Sequence, residues 1–310
     1  MAPVTTFHWV IDRPLSAADW TDAFAKYQAT PEFREVNHDM TLAQFKHIFW
    51  WEYFHRLLGR VIGVAFLLPY LWFLLRNRIP RGYAWPLAGI FVLGGLQGAV
   101  GWLMVKSGLV ADPRVSQFRL AAHLGLAFAI FAAMLWTALS LAFPARADGR
   151  QQAVRHAHRV AFVFAGTVFV MVLLGALVAG IRAGFAYNTF PLMNGRVVPA
   201  EIMMLDPWWK NFFWNMATVQ FDHRVVGWLL AFMAPLLWWR TRAAHVPSRA
   251  RRGTSALVAM VAVQLALGIA TLVNVVPISL AALHQAGAVV LFAAALNAAH
   301  ALSAATTRKG

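Results

Sequence analysis

Four histidines recur in a pattern that can do redox or metal chemistry. His55 lies in WWEYFHRLLGRVIG (Trp50 to Gly63) and His223 in QFDHRVVGWLL (Gln220 to Leu230). Each is followed directly by an arginine, Arg56 or Arg224, and four residues on by a glycine, Gly59 or Gly227. A second histidine follows each: His123, in RLAAHLGLAF, comes 68 residues after His55, and His284, in AALHQAGAVV, 61 after His223. One unit is used twice, with two histidines per copy. Two imidazoles on facing helices, with no thiolate beside them, suit axial ligation of a haem. Zinc would want three or four ligands converging on one point.

The copies differ at one place. Glu52 stands three residues before His55, on the same helix face and one turn away; the matching residue of the second copy is Gln220. A carboxylate beside a haem can take a proton, hold developing positive charge or bond to an oxidised carbon, and an amide cannot do these in the same way. The first copy therefore reads as reactive and the second as the seat of a resident cofactor. Asp222 adjoins His223 but points about 100° away from it on the helix. Arg56 and Arg224 suit haem propionates or the membrane interface. Gly59 and Gly227 let a flat ring approach the backbone, although Gly59 and Gly63 also form a helix-packing GxxxG.

These residues must be positioned by membrane helices. The 310 residues are 60% hydrophobic and 13% charged, with a mean hydropathy of +0.58, which describes a polytopic membrane protein. The net charge of +15 reflects loop arginines, not nucleic-acid binding, because no basic run carries interleaved aromatics. With no cysteine, disulfides, thiolate ligands and a cysteine nucleophile are excluded.

The spacing predicts seven spans, at 54–75, 84–104, 119–142, 160–181, 219–239, 254–274 and 282–304, each near the roughly 20 residues a bilayer crossing needs. The chain divides accordingly into a polar N-terminal segment (1–50), a first bundle (51–142), a linker (143–159), a second bundle (160–304) and a tail (305–310). Within 1–50, Ser16 and Asp19 predict the start of an amphipathic helix lying on the membrane surface or on the protein's own loops. A second helix is expected to start at Thr41 and run into the first span.

Arg76, Arg78, Arg81, Arg146, Arg150, Arg155, Arg159, Arg240, Arg242, Arg249, Arg251, Arg252, Arg308 and Lys309 fall on one side, fourteen of the 27 basic residues. That side is the cytoplasm, which places residues 1–50 and all four histidines at the outer ends of the first, third, fifth and seventh spans. One histidine at a span's end is commonly interfacial; four at one level, paired by a repeat, argue for ligation. The second copy opens with a span that the first lacks, so the repeat predicts an eighth helix ahead of the seven. Residues 1–50 themselves do not read as a signal peptide. His8, His38, His47, His156, His158 and His245 read as solvated. His300 lies 16 residues beyond His284, about 24 Å along a helix, and cannot share its ligand set. Lys106, Tyr187 and Asn188 fall in outer loops near the histidines and can line the sites.

The chain resembles the haem A synthase family, membrane enzymes that convert haem O to haem A for terminal oxidases. The resemblance runs from about Pro14 through PLSAADWTDAFAKYQATPEFREVN, FWWEYFHRLLGRVIG, LQGAVGWLMVKSGL, RLAAHL, GIRAGFAYNTFPLMNG and FDHRVVGW to His284-Gln285. The stretch before the Glu-x-x-His-Arg motif is similar to the mitochondrial and alphaproteobacterial branch, and the N-terminus, without an Arg/Ser-rich transit peptide, favours a bacterial inner membrane. The resemblance implies two pseudo-symmetric four-helix bundles, each with a bis-histidine site. His55 and His123 would bracket the substrate haem O, and His223 and His284 a haem B that passes electrons. Glu52 matches the family's essential carboxylate. The implied reaction oxidises a porphyrin methyl to formyl by successive hydroxylations, with oxygen from water. A haem O synthase and oxidase assembly factors are the implied partners; the electron donor and any homo-oligomer are not specified. The family's first helix and the cysteine pair of some bacterial relatives have no counterpart in the sequence.

Two other readings fit the histidines less well. A dihaem electron carrier needs no carboxylate at one haem only. A transporter would show broken helices and ionisable groups at the midplane.

Overall fold

The computed structural model describes residue 14 and residues 16–108, 115–144, 152–243 and 246–303. His8, His245, residues 145–151 of the linker and the tail with Arg308 and Lys309 lie outside them, as does the Lys106 side chain. The described residues are helical, with no strand beyond one isolated bridge, Met193 to Arg196. The chain divides into two compact units, residues 1–126 and 127–310.

In the first unit, α1 (Ala17–Gln28) starts at Ser16, whose hydroxyl accepts from Asp19 N while the Asp19 carboxylate takes Ser16 N. This reciprocal cap is the one its sequence predicts. A short α2 (Pro31–Glu35) follows. The long α3 (Leu42–Leu75) is capped by Thr41 and Gln44 in the same way. Its 34 residues begin well before the predicted span at 54, because the Thr41 cap and an unbroken aromatic run extend the helix. The apolar face of α1 lies on the first turns of α3: Trp20 meets Phe49 edge-on at 5.1 Å and Tyr27 stacks on Phe45 at 5.1 Å. Of the two surfaces expected for this helix, its own protein supplies one. α4 (Ala84–Gly108) packs along α3, and α5 (Gln117–Ala142) begins in this unit.

The second unit is a closed ring of four antiparallel helices: α6 (Gln152–Gly180), α8 (Met216–Ala243), α9 (Ser248–Val273) and α10 (Ile278–Ser303), each packed on the next and α10 back on α6. Small residues line the contacts, including Ala157, Ala161, Ala234, Ala250, Ala295 and Ala298. Such residues let backbones approach where lipid provides no hydrophobic drive. The connection from α6 to α8 carries only single turns of 3₁₀ helix and the four-residue α7 (Asn211–Trp214). Away from that connection, at the C-terminal end of α10, His300 is 4% exposed. Its Nδ1 lies 3.2 Å from Arg249 Nη1 and its Nε2 3.1 Å from Ser140 Oγ, while Arg249 Nη2 donates to Asn297 at 2.7 Å. Because a guanidinium can only donate, Nδ1 accepts and Nε2–H points to Ser140.

Among the described residues, six helices, α3, α4, α5, α6, α9 and α10, are long and apolar enough to cross a membrane. This is the architecture of an all-α membrane protein. The remaining predicted span, the fifth (219–239), forms as α8, whose 28 residues are long enough. The polar cluster Gln220, Asp222, His223 and Arg224 near its start makes it less apolar than the rest.

Candidate functional site

In the second unit, His223 lies in the second turn of α8 and His284 in the second turn of α10, helices that run in the same direction. The two imidazoles lie within electrostatic reach of one another. Each ring rests against a glycine of the helix that precedes it in the chain. A Cβ built on Gly175 of α6 would come 3.3 Å from His223 Cε1, and one on Gly268 of α9 2.9 Å from His284 Cε1. Three residues before His223, Gln220 is 2% exposed. Its amide donates to Ala183 O at 2.7 Å and accepts from Arg224 Nη2 at 2.9 Å. The same Nη2 also donates to Tyr187 O at 2.8 Å, and Nη1 reaches the carbonyls of Pro191 and Leu192 at 3.4 Å each. Arg224 thus pins the 187–192 loop over the start of α8. Asn188 anchors that loop to α9 through Leu272 O at 2.9 Å, and the Tyr187 hydroxyl donates to Glu201 at 2.9 Å.

The first unit repeats the plan with different chemistry. His123, in the second turn of α5, rests against Gly101 of α4, where a Cβ would come 2.7 Å from its Cε1. His55 of α3 interacts electrostatically with it. His55 is exposed, and no glycine of the described residues faces it. Arg56 donates to Glu52 one turn back, as Arg224 does to Gln220, but here the partner is a carboxylate and the contact is an ion pair. The two side chains are partly open, at 33% and 25% exposure. The Glu32 carboxylate of α2 is close enough to act on Glu52.

The structure therefore brings together His55 with His123, His223 with His284, and Glu52 with Arg56. Both arginines are engaged by protein groups. Four further residues belong to these sites: Gln97, Gly101, Gln264 and Gly268. Gln97 and Gly101 of α4, and Gln264 and Gly268 of α9, share one spacing, Gln-x-x-x-Gly, on the helix before the second histidine of each copy. That repeat was the available signal, a polar amide standing inside an apolar run. Among the solvated histidines, His38 pairs with Asp39 and His47 takes the Trp51 indole N–H, whereas His156 and His158 lie in the first turns of α6, His158 half-buried.

The cytochrome oxidase assembly protein family matches residues 10–296 of the chain. A haem A synthase of Nitrosospira multiformis is 55% identical over 289 residues, spanning 93% of this chain and 81% of that protein. Those of Nitrosomonas eutropha and a Bradyrhizobium species are 49% and 47% identical, over 91% and 94% of this chain and 80% of each relative. The chain belongs to the haem A synthase family.

The side chains fit the haem that this family implies. Among the described residues no three His, Asp or Glu converge to hold a metal ion; two imidazoles suit a group that brings four nitrogen ligands of its own. Nδ1 of His123 and Nδ1 of His223 are buried without a hydrogen-bond partner. A buried polar atom of this kind calls for an explanation, and a ring reserved for a ligand supplies one. The glycines let the Cε1 edge of three of the four rings come close against a neighbouring helix, which restricts their position before any ligand arrives.

Proposed function

We propose that this chain is a haem A synthase that oxidises one methyl group of haem O to a formyl group for terminal oxidase assembly. His55 and His123 hold the substrate, and His223 and His284 hold a resident haem B. Such a haem would supply one-electron redox capacity. Arg56 and Arg224, each adjoining the first histidine of its pair, lie where propionates are met.

Converting a methyl to a formyl with oxygen from water takes up one water and releases four protons and four electrons. The electrons would leave one at a time to a one-electron acceptor outside the chain, and the protons need an acceptor at the substrate site, where Glu52 is the carboxylate one turn from His55. Arg56 holds it in place, so that it can accept a proton as the carbon is oxidised. Gln220 at the matching position of the second unit is buried and fully occupied with Ala183 and Arg224. It orders a loop and takes up no proton.

The observation that carries this reading is that single asymmetry, Glu52–Arg56 against Gln220–Arg224. The test is co-expression with a haem O synthase in a host that makes no haem A, followed by chromatography of the extracted haems with mass detection. Haem A or its hydroxylated precursor is expected from the wild type. Glu52→Gln, which keeps a partner for Arg56, should retain the haems and lose the product. A product level in Glu52→Gln equal to wild type would remove the catalytic role of the carboxylate. Haem B alone in the wild type, with haem O shown to be present, would make the protein an electron carrier. The family and the apolar helices support placement in a bacterial inner membrane, with the histidines on the periplasmic side and the C-terminus in the cytoplasm.

A further inference from the structure

Two half-buried glutamines stand in apolar helices, and each contacts the main-chain carbonyl and one ring nitrogen of a histidine. Gln97 Nε2 donates to the main-chain carbonyl of His123 at 3.0 Å and lies 3.4 Å from Nε2 of that ring. Gln264 Nε2 donates to the main-chain carbonyl of His284 at 2.9 Å and lies 3.2 Å from its Nδ1. A carbonyl only accepts, so the atom facing it must be the amide nitrogen, and the orientation of both amides is fixed. Each glutamine ties the backbone and the ring of one histidine to the neighbouring helix. Four residues further on, the same helix presents the glycine on which that ring rests. In both units the glutamine Oε1 is buried and has no partner.

A lone buried amide can be an accident of packing. Two, in the same relation to the equivalent histidine of each copy, with the same atom left over, are a feature of the repeat. Room has also been kept for one of them: a Cβ on Gly287, one turn after His284, would come 2.2 Å from Gln264 Oε1.

We propose that Gln97 and Gln264 are positioning residues that set the ring orientation of His123 and His284 at the haem iron. The inference rests on the ligation assigned to these histidines above. Each amide bonds the main-chain carbonyl and covers one ring nitrogen, so it fixes which edge of the ring is left for iron.

The test uses the full chain purified with its haems, reading low-spin electron paramagnetic resonance g values, haem midpoint potential and haem retained on dilution. Gln264→Met keeps the length and apolar fit of the side chain but removes the amide. It is expected to shift the g values and potential of one haem and to weaken its retention about tenfold, the low end for loss of an outer partner of a metal-ligating histidine. Gln97→Met should leave that signal alone and shift the haem held by His123. Gly287→Ala leaves Gln264 in the sequence but takes its space, so it should reproduce the Gln264→Met shifts, and it carries the test if Gln264→Met fails to fold. In a Gln264→Ala background Gly287→Ala should add little. Unchanged g values, potential and retention in both Gln264→Met and Gly287→Ala, with the wild type in a bis-histidine spectrum, would overturn the positioning role and leave ligation standing. Full additivity in the double variant would also overturn it. A folded wild type without haem would remove the ligation reading itself.

Discussion

Gly101, Gly268 and Gly175 make a graded prediction, because each faces a histidine ring at a different distance. The Cβ of an alanine would meet His123 Cε1 at 2.7 Å, His284 Cε1 at 2.9 Å and His223 Cε1 at 3.3 Å, respectively. Carbon atoms sit best at about 3.5–4.0 Å, so the shortfall is roughly 1 Å at the first two sites and a few tenths of an ångström at the third. Overpacking of the larger kind costs roughly 1–3 kcal/mol, while alanine in place of glycine inside a helix returns roughly 0.5–1 kcal/mol. The net loss is then about 1–2 kcal/mol at Gly101 and Gly268 and close to zero at Gly175. Gly94 and Gly166, with nothing within 4 Å, should be neutral or gain. At Gly101 and Gly268 the group that must yield is the imidazole, so the loss falls on ring placement, and about 1.4 kcal/mol is a tenfold change in affinity. Haem per polypeptide and melting temperature, measured on all five alanine variants in one detergent, check this. If Gly101→Ala and Gly268→Ala hold haem and melt as Gly166→Ala does, the rings do not rest on those helices and the reasoning fails.

Two further perturbations separate structure from chemistry. Arg224→Ala removes the donor to Tyr187, Pro191 and Leu192 carbonyls and should cost about 2–3 kcal/mol, seen as a lower melting temperature and new protease cleavage between 187 and 192. Glu32 has its carboxyl pushed above the ordinary value near 4.5, chiefly by burial, with the Tyr27 hydroxyl opposing. The folded state therefore holds this proton more tightly than the unfolded chain, and stability falls as pH rises from about 4.5 through the folded value. Glu32→Gln keeps an acceptor for Tyr27 and Asn37 and should raise the melting temperature at pH 7 but not at pH 4. An unchanged difference between the two pH values would refute it.

The helices were legible because runs of about 20 apolar residues leave the chain few alternatives in a bilayer. Their ends were less so. α3 and α6 begin well before their predicted spans, since the capped turn at Thr41 and the arginine-bearing turns near Arg155 are helical without being apolar. The apolar face of α1 was legible, but which surface it covers is decided by the aromatic run of α3. In the sites, the four histidines and the Glu52/Gln220 difference could be read from the repeat. Gln97, Gln264 and the three facing glycines could not be placed. Which residues of two membrane helices meet depends on rotation about each helix axis. Segments that are apolar all round carry little periodicity to fix that rotation. Arg56 and Arg224 illustrate the same limit. Spacing puts each one turn from residue 52 or 220, but only the fold shows that Arg224 reaches across to a loop more than thirty residues earlier in sequence.

That reach has a bearing on how the protein is made. A ribosome delivers the 187–192 loop before it delivers Arg224, and Arg224 enters its place only when α8 has threaded back beside α6. Until then the carbonyls of Tyr187, Pro191 and Leu192 have no guanidinium to bind, and that end of the bundle stays unlatched. The latch is written downstream of the door it closes, so the 187–192 loop can be fastened only once the start of α8 has been made.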